Sequence, residues 1–245
     1  MVYQHFGKVQ SQVQFLLRAP GKYCMIFLPA FCVDDFYSNP DAVREFALKQ
    51  EFRSSEGRWP GKRTRDLSEI DPAFHEQFAK KVFSLFLEDV NDVTRYNLKT
   101  SFQIVPALDQ DPNSPKNQGW IHFDDQTVFA GIVYLSPDAR PENGTSIFKL
   151  INESTLDHDS TCKQDFYTGK VSENYDETIS RHNGSYLETI SFNNLYNRMI
   201  CFDRSQPHGV KSFYTTGEPR LTQVFFLMDF ETTVTPPIIR HKKYL

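Results

Sequence analysis

The chain has 245 residues and 39% hydrophobic residues, enough for one large domain or two small ones. Its net charge of −4 argues against nucleic-acid binding driven by whole-protein charge, although a local basic groove remains allowed. The four cysteines contain no C-x-x-C pair and do not resemble a disulfide framework. No apolar run reaches transmembrane length or the pattern of a signal peptide, so we expect a soluble, cytoplasmic protein.

Residues 1–95 are predicted to form N-terminal strands and a helical support. Two apolar stretches, Val13–Leu17 and Tyr23–Phe31, have the length and composition of strands. Asn39-Pro40-Asp41 is a helix-start signal, and apolar residues follow it at helical spacing to about Phe52.

A second helix is predicted from Asp71, the N-cap, with Pro72 at the first helical position. Its apolar stripe continues at intervals of three or four residues to near Leu87. The two helices are separated by a polar, basic loop, 53–65, around Trp59.

In residues 96–231 the spacing of apolar residues becomes typical of β-strands. Two helices followed by about eight short strands predict a mainly β (α+β) fold of the β-sandwich or jelly-roll type, with the helices on one side. We expect a single domain, 1–245, with the tail 232–245 at its periphery. The polar segment 152–185 is predicted to be a lid or a mobile insertion. The predicted strands are Leu98–Val105, Val128–Leu135, Ser146–Ile151, Tyr186–Phe192, Met199–Phe202 and Leu221–Phe230.

His122 and Asp124 come directly before the most apolar of these strands, Val128–Leu135. Side chains at positions i and i+2 of a strand point to the same face, so the imidazole and the carboxylate can converge. The convergence suggests a metal site inside a β-barrel. A single H-x-D is a weak motif by itself, because a surface His followed by a turn Asp gives the same pattern.

His208 lies between Pro207 and Gly209, just beyond the apolar strand Met199–Phe202. It is either a loop residue or a third metal ligand. Two His and one carboxylate form a set that favours non-haem Fe(II) and leaves coordination positions open.

Arg220 and Thr222 begin the last predicted strand and share one of its faces with Val224 and Phe226. An Arg at the head of an inward-facing row is costly unless it meets an anion, or unless it caps the sheet edge in solvent. A guanidinium holds a carboxylate in bidentate fashion, and the Thr hydroxyl supplies one more donor.

The order H-x-D, a distal His, then R-x-T about a dozen residues later resembles the 2-oxoglutarate/Fe(II)-dependent oxygenase superfamily, over roughly Phe102–Phe230. The stretches G-T-S-I-F-K, N-R-M-I-C-F-D…P-H-G and R-L-T-Q-V-F-F, with the W-P-G-K-R loop, are similar to a poorly characterised prolyl-hydroxylase-like branch.

The resemblance implies a double-stranded β-helix (jelly roll), and a dioxygenase that converts O₂ and 2-oxoglutarate to succinate and CO₂. It implies that the metal ligands are His122, Asp124 and His208, and that the 2-oxoglutarate anchors are Arg220 and Thr222. The carboxylate at Asp124 points to hydroxylation, because halogenating relatives have a small residue there.

Four further residues are candidates for the functional site, and for each of them an ordinary structural role is also possible. Tyr134 could donate its phenol to 2-oxoglutarate or be a core Tyr with a satisfied hydroxyl. Gln103 could face the co-substrate, although an exposed strand position is favoured. Trp59 and Arg63 are the first candidates for substrate contacts if the basic loop folds over the site, whereas a solvated loop with Trp59 in the core is the ordinary interpretation.

The substrate is left open between a protein or peptide side chain, a small molecule and a nucleic-acid base. A protein or peptide side chain is slightly preferred by family analogy alone. Two alternatives to this hydroxylase are a non-catalytic jelly-roll metal-binding module and a nucleic-acid-modifying oxygenase. The nucleic-acid alternative requires a continuous positive surface from the Trp59 loop to the metal. No membrane partner is expected, and the sequence does not specify the oligomeric state.

Overall fold

The computed structural model describes residues 26–27, 30–55, 58–124, 126–153, 161–170, 174–234 and 240–241. The predicted strand Val13–Leu17 and most of the C-terminal tail lie outside these residues. None of the described helices combines the length and the apolar character that crossing a bilayer requires.

Antiparallel strands dominate the fold, and most of them lie in two sheets. The larger sheet has seven strands in the order β2-β9-β6-β11-β5-β4-β3, and the smaller has three in the order β10-β7-β8. Another pair, β1 with β12, stands apart. The strands are β1 Ile26–Phe27, β2 Phe31–Val33, β3 Arg53–Ser54, β4 Lys62–Arg63, β5 Val93–Val105, β6 Phe129–Tyr134, β7 Thr145–Leu150, β8 Tyr186–Phe192, β9 Met199–Asp203, β10 His208–Val210, β11 Arg220–Thr232 and β12 Arg240–His241.

The helices are α1 Pro40–Leu48, α2 Leu67–Ile70, α3 Pro72–Phe83, α4 Thr161–Tyr167 and α5 Tyr175–Asn183. Both predicted N-terminal helices are present; Asp71 is the N-cap as predicted, and Asn39 of the predicted start signal caps the other helix. The Asn39 carboxamide oxygen accepts a hydrogen bond from the Ala42 amide, and the Asp71 carboxylate accepts one from the Phe74 amide. Both helices end about four residues earlier than their apolar patterns suggest.

The N-terminal helices cover one face of the larger sheet. Phe78 of α3 packs edge-on against Phe225 of β11, with ring centroids 5.2 Å apart. Phe46 of α1 meets Phe102 of β5 in the same way at 5.8 Å. The main hydrophobic core therefore lies between α1, α3 and this face of the sheet.

The opposite face of the larger sheet meets the smaller sheet. Tyr134 of β6 and Ile147 of β7 lie in one buried cluster with Phe202 of β9. The described strands thus form a β-sandwich rather than the closed barrel suggested for the metal site. Strand β6 is covered on both faces, as its continuous apolar run predicts.

Two segments contain more secondary structure than the sequence suggests. The basic loop 53–65 contributes the hairpin β3–β4, which extends the larger sheet beside β5. Gly61 has a φ of +69° in this hairpin, and a Cβ there would lie 2.1 Å from the Ile104 carbonyl oxygen, so only glycine fits. The polar segment 152–185 contributes α4 and α5.

Candidate functional site

His122, Asp124 and His208 converge on one point. The His208 Nε2 atom lies 3.3 Å from one Asp124 carboxylate oxygen, and the His122 Nε2 atom lies 3.8 Å from the other. One candidate ligand atom from each residue lies within 4.8 Å of the others, and this is the only such group of three in the part of the chain described. The three side chains have the spacing needed to hold a single metal ion.

Both histidines present the nitrogen that a metal needs. The Nδ1 atom of His122 lies 2.7 Å from the Trp120 carbonyl oxygen, and that of His208 lies 3.0 Å from the Gln206 carbonyl oxygen. A carbonyl accepts only from a protonated nitrogen, so these contacts fix the proton on Nδ1 and leave the Nε2 lone pair available.

Backbone pairing places the two histidines side by side. The His122 amide donates to the His208 carbonyl, and the His208 amide donates to the His122 carbonyl, both at 3.0 Å. Asp124 lies just beyond this bridge rather than within a strand, yet the alternation holds, because Phe123 between them points outward and is 41% exposed.

Helix α5 anchors the segment that carries His122. The Asn183 side-chain oxygen accepts from the Ile121 amide at 3.1 Å, and His182 Nε2 lies 2.8 Å from the Ile121 carbonyl. The Trp120 ring packs against that of His182 in a tilted arrangement, with ring centroids 4.8 Å apart. The polar segment 152–185 thus helps to position a candidate ligand.

The electrostatics of His122 and Asp124 favour metal binding. Desolvation, together with the nearby His208 and Lys163, lowers the pKa of His122 even though 43% of its side chain is exposed, so the ring is neutral at pH 7. Burial raises the pKa of Asp124, but the close approach of His208 and neighbouring positive charges outweigh that effect, and its net pKa is below the usual value. A neutral imidazole and an ionised carboxylate are the forms that bind metals.

Arg220 lies at the wall of the same cavity, which has a volume of about 270 Å³. Its side chain is only 3% exposed, and its Nε and Nη2 atoms have no hydrogen-bond partner among the described residues. Its guanidinium lies 5.3 Å from the ring centroid of Tyr134 and 5.9 Å from that of Phe213. The alternative of an edge cap in solvent is therefore wrong, and no carboxylate of a described residue pairs with the buried guanidinium.

Four polar residues form a row across the larger sheet. Arg63 of β4 is opposite Gln103 of β5, Gln103 is opposite Thr222 of β11, and Thr222 is opposite Tyr134 of β6. Thr222 is fully buried, and its hydroxyl has no partner in the described structure. The Tyr134 hydroxyl donates to the Thr145 hydroxyl at 3.0 Å, so its donor is satisfied as in an ordinary core Tyr.

Gln103 is buried rather than exposed, which corrects the favoured expectation. It is 5% exposed and lines the cavity, because the β3–β4 hairpin covers the strand edge where it lies. Its amide donates to the Pro60 carbonyl at 2.8 Å, and its oxygen accepts from Arg63 at 3.3 Å. Gln103 therefore joins the hairpin to the wall of the cavity.

Trp59 and Arg63 lie at the cavity, as the hypothesis of a loop folded over the site requires. The Arg63 guanidinium lies 4.4 Å from the Trp59 ring centroid, a cation–π distance. The Trp59 Nε1 and Arg63 Nε atoms are buried, with no hydrogen-bond partner within the described ranges.

Lys163 and Tyr167 of α4 also line the cavity, and the sequence analysis did not identify them. They come from a polar segment without any motif, so only the fold could reveal them. Burial lowers the pKa of Lys163, and Asp124 acts in the opposite direction.

The basic loop is only partly neutralised. Arg53 pairs with Glu51 at 2.7 Å, and Arg65 pairs with Glu69 at 3.7 Å. Because these pairs neutralise part of the positive charge of the loop, they weaken the hypothesis of a continuous positive surface for nucleic acid.

A family model described as "Family of unknown function (DUF6445)" matches residues 27–211. A comparison with curated proteins finds no match.

Several solved structures resemble the fold distantly. HygX from Streptomyces hygroscopicus, with nickel and 2-oxoglutarate bound, is 13% identical, with 86% of this chain and 85% of that chain covered and a TM-score of 0.48. A prolyl hydroxylase from Trichoplax adhaerens, in complex with a hypoxia inducible factor peptide, is 14% identical, with coverages of 82% and 83% and a TM-score of 0.49. A Pseudomonas putida prolyl-4-hydroxylase is 13% identical, with coverages of 82% and 93% and a TM-score of 0.43. These likenesses are distant, so the functional argument rests on the geometry of the site.

Proposed function

We propose that this chain, which belongs to the family of unknown function DUF6445, is an Fe(II)- and 2-oxoglutarate-dependent dioxygenase that hydroxylates a C–H bond. His122, Asp124 and His208 would hold the iron, and Arg220 would hold the distal carboxylate of 2-oxoglutarate. One observation carries the proposal: a two-His, one-carboxylate cluster lines the same cavity as a buried guanidinium, two of whose nitrogen atoms have no partner among the described residues.

The donor set fits the metal and the reaction. Three protein ligands on one side of Fe(II) leave coordination positions open for the co-substrate and O₂. Bound together, these groups supply the oxidation, in which one oxygen atom of O₂ enters the substrate and the other enters succinate as CO₂ leaves. The protein itself orients both His Nε2 atoms and surrounds the reacting centre with apolar walls from Val224 and Phe226.

Arg220 and Thr222 fit the role of co-substrate anchors. A dicarboxylate would give the guanidinium the anion that its buried position lacks, through a bidentate pair. Thr222 lies two residues along on the same face, and its unpaired hydroxyl is a further donor. We place Tyr134 beside them, since its ring lies next to Arg220.

The strand order supports a double-stranded β-helix over residues 96–231, within a single domain. The segment of His122, β7, β8 and β10 lies in the smaller sheet, and β5, β6, β9 and β11 lie in the larger one. The chain thus passes repeatedly between two facing sheets, as a jelly roll does. Residues 1–95 would be its helical support, and residues 232–245 a peripheral tail.

The test is the anaerobic addition of Fe(II) and 2-oxoglutarate to metal-free protein, followed by visible absorption. We expect the weak charge-transfer band of a chelated complex, and its loss in His208→Ala and Asp124→Ala. Asp138→Ala removes an exposed carboxylate elsewhere and should keep the band. Absence of the band in folded wild-type protein, or its persistence in both ligand variants, would refute the assignment.

A turnover assay distinguishes the proposed enzyme from a non-catalytic metal-binding module. The enzyme should form succinate from 2-oxoglutarate in air, and His122→Ala should abolish this while the protein stays folded. Metal binding without any 2-oxoglutarate-dependent band or succinate would favour the binding module.

A further inference from the structure

The charges on the cavity wall are unbalanced. Its positive side chains are Arg58, Arg63, Lys163 and Arg220, whereas Asp124 is the only carboxylate among the described lining residues. Fe(II) and the 2-oxoglutarate dianion have opposite charges of equal size, so their binding adds no net charge. After the co-substrate has paired with Arg220, three cations still face the cavity.

No acid among the described residues forms an ion pair with these remaining cations. Neither Arg58 nor Lys163 makes a salt bridge to any described acid, and the hydrogen bond of the Arg63 side chain within the described ranges goes to the neutral Gln103. Burial lowers the pKa of Arg63 to about 10, and Asp124 is the acid that opposes this. The same carboxylate is the one acid acting on Lys163. Because Asp124 would be committed to the metal, it cannot also neutralise them.

The unpaired atoms beside these cations are hydrogen-bond donors. Trp59 Nε1 and Arg63 Nε are buried without partners in the described structure. A buried donor left unpaired costs about 1–3 kcal/mol, so such donors usually mark the place of a missing acceptor. Donors and cations together favour an acceptor with negative charge.

The space limits the size of the group. The cavity of about 270 Å³ lies just below the usual range for whole drug-sized ligands, and the co-substrate occupies part of it. Only a small substrate, or the end of a side chain, can therefore enter.

We propose that the substrate carries a carboxylate or a phosphate near the C–H bond that reacts, and that Lys163, Arg58 and Arg63 bind this group, with Trp59 as an additional donor. The inference rests on the proposed oxygenase function and specifies its substrate class. Lys163 comes from α4, so the segment before β8 contributes to substrate specificity.

The test uses matched pairs of probes: glutamate against glutamine, and phosphoserine against serine. Each is supplied as the free amino acid and as the central residue of a capped tripeptide. Binding is followed by tryptophan fluorescence, because Trp59 and Trp120 both line the cavity. The protein is loaded with Zn(II) and 2-oxoglutarate so that no turnover occurs. We expect an acidic probe to bind at least tenfold more tightly than its neutral counterpart.

Three variants locate the site. Lys163→Met should weaken binding of the acidic probe at least tenfold, and Arg58→Gln, an exposed change that should not affect folding, should weaken it severalfold. Lys49→Met removes the same charge at an exposed position after α1 and should have no effect. The Fe(II)–2-oxoglutarate band should remain in all three.

Equal binding of acidic and neutral probes, or no binding of any acidic probe, would overturn the inference. A Lys163→Met variant that weakens 2-oxoglutarate instead of the probe would also overturn it, because Lys163 would then serve the co-substrate. Selective acid binding without the band would contradict only the oxygenase assignment. Preference for free or peptide probes distinguishes a small molecule from a protein side chain.

Discussion

Replacing Arg220 with methionine should stabilise the unliganded protein and remove its response to 2-oxoglutarate. The side chain is 3% exposed, and two of its nitrogen atoms have no partner among the described residues. A guanidinium that served only the fold would be paired, and its loss would destabilise the protein. The two roles therefore predict opposite signs for the change in unfolding free energy.

The magnitude follows from the surroundings of Arg220. Exchange of buried ionic groups for well-packed apolar ones gains about 1–4 kcal/mol. Loss of the cation–π contacts of Arg220 with Tyr134 and Phe213, at 5.3 and 5.9 Å, lowers the unfolding free energy by about 1–2 kcal/mol. The midpoints of these two ranges leave a net gain of about 1 kcal/mol, which corresponds to a rise in Tm of roughly 2–4 °C for a chain of this size.

Thermal unfolding of the metal-loaded protein, with and without 2-oxoglutarate, measures both effects. A ligand at a hundred times its Kd stabilises the wild type by about 2.7 kcal/mol. Removing one partner of a buried charged pair costs about 2–5 kcal/mol, so this ligand-dependent shift should vanish in Arg220→Met.

Thr222→Val is the matched control for the same wall. It removes one unpaired hydroxyl at nearly constant volume, so stability should change little and the 2-oxoglutarate shift should decrease by about 1 kcal/mol. A less stable Arg220→Met variant that keeps the full 2-oxoglutarate shift would refute the reasoning and move the anchor elsewhere.

Three other substitutions test how the fold supports the site. Gly61→Ala should displace the β3–β4 hairpin from the Ile104 carbonyl and weaken binding of the acidic probe while retaining the Fe(II)–2-oxoglutarate band, as fluorescence and absorption titrations would show. Asp71→Ala should lower the unfolding free energy by about 1 kcal/mol in urea through loss of the α3 cap, and an unchanged midpoint would contradict the cap's role. Asn197 has a φ of +64° and two hydrogen bonds to the Tyr37 backbone, so Asn197→Ala should cost about 2–4 kcal/mol. Asn197→Gly, which keeps the backbone conformation, should cost less in the same denaturant titration.

The parts of the fold that the sequence predicted are those with a local cause. The continuous apolar run around β6 requires cover on both faces wherever the strand lies, and the Asp71-Pro72 pair starts α3 whatever it packs against. His122 and Asp124 lie two residues apart, so their side chains point the same way even though Asp124 is beyond the strand bridge.

The parts that the sequence could not predict depend on contacts between distant segments. Gln103 has the polarity of an exposed strand residue, and only the hairpin across its edge buries it. The stretch around Lys163 has few large apolar residues, because α4 packs through a small cluster with Trp120 rather than through a long stripe. No periodicity in the chain indicates that such a segment faces a cavity.

The unpaired donors argue for ligands more strongly than the ligand triad does alone. Two histidines and a carboxylate within 4.8 Å do not by themselves require a ligand, because both imidazoles already pair through Nδ1 with backbone carbonyl oxygens. Arg220 and Arg63 are different, because each holds buried N–H groups unpaired within the described structure at a continuing cost to stability. A protein without ligands would gain by replacing them with apolar residues. Their presence on the wall that also carries the triad is therefore explained most simply by two acidic occupants, the co-substrate at Arg220 and the substrate near Arg63.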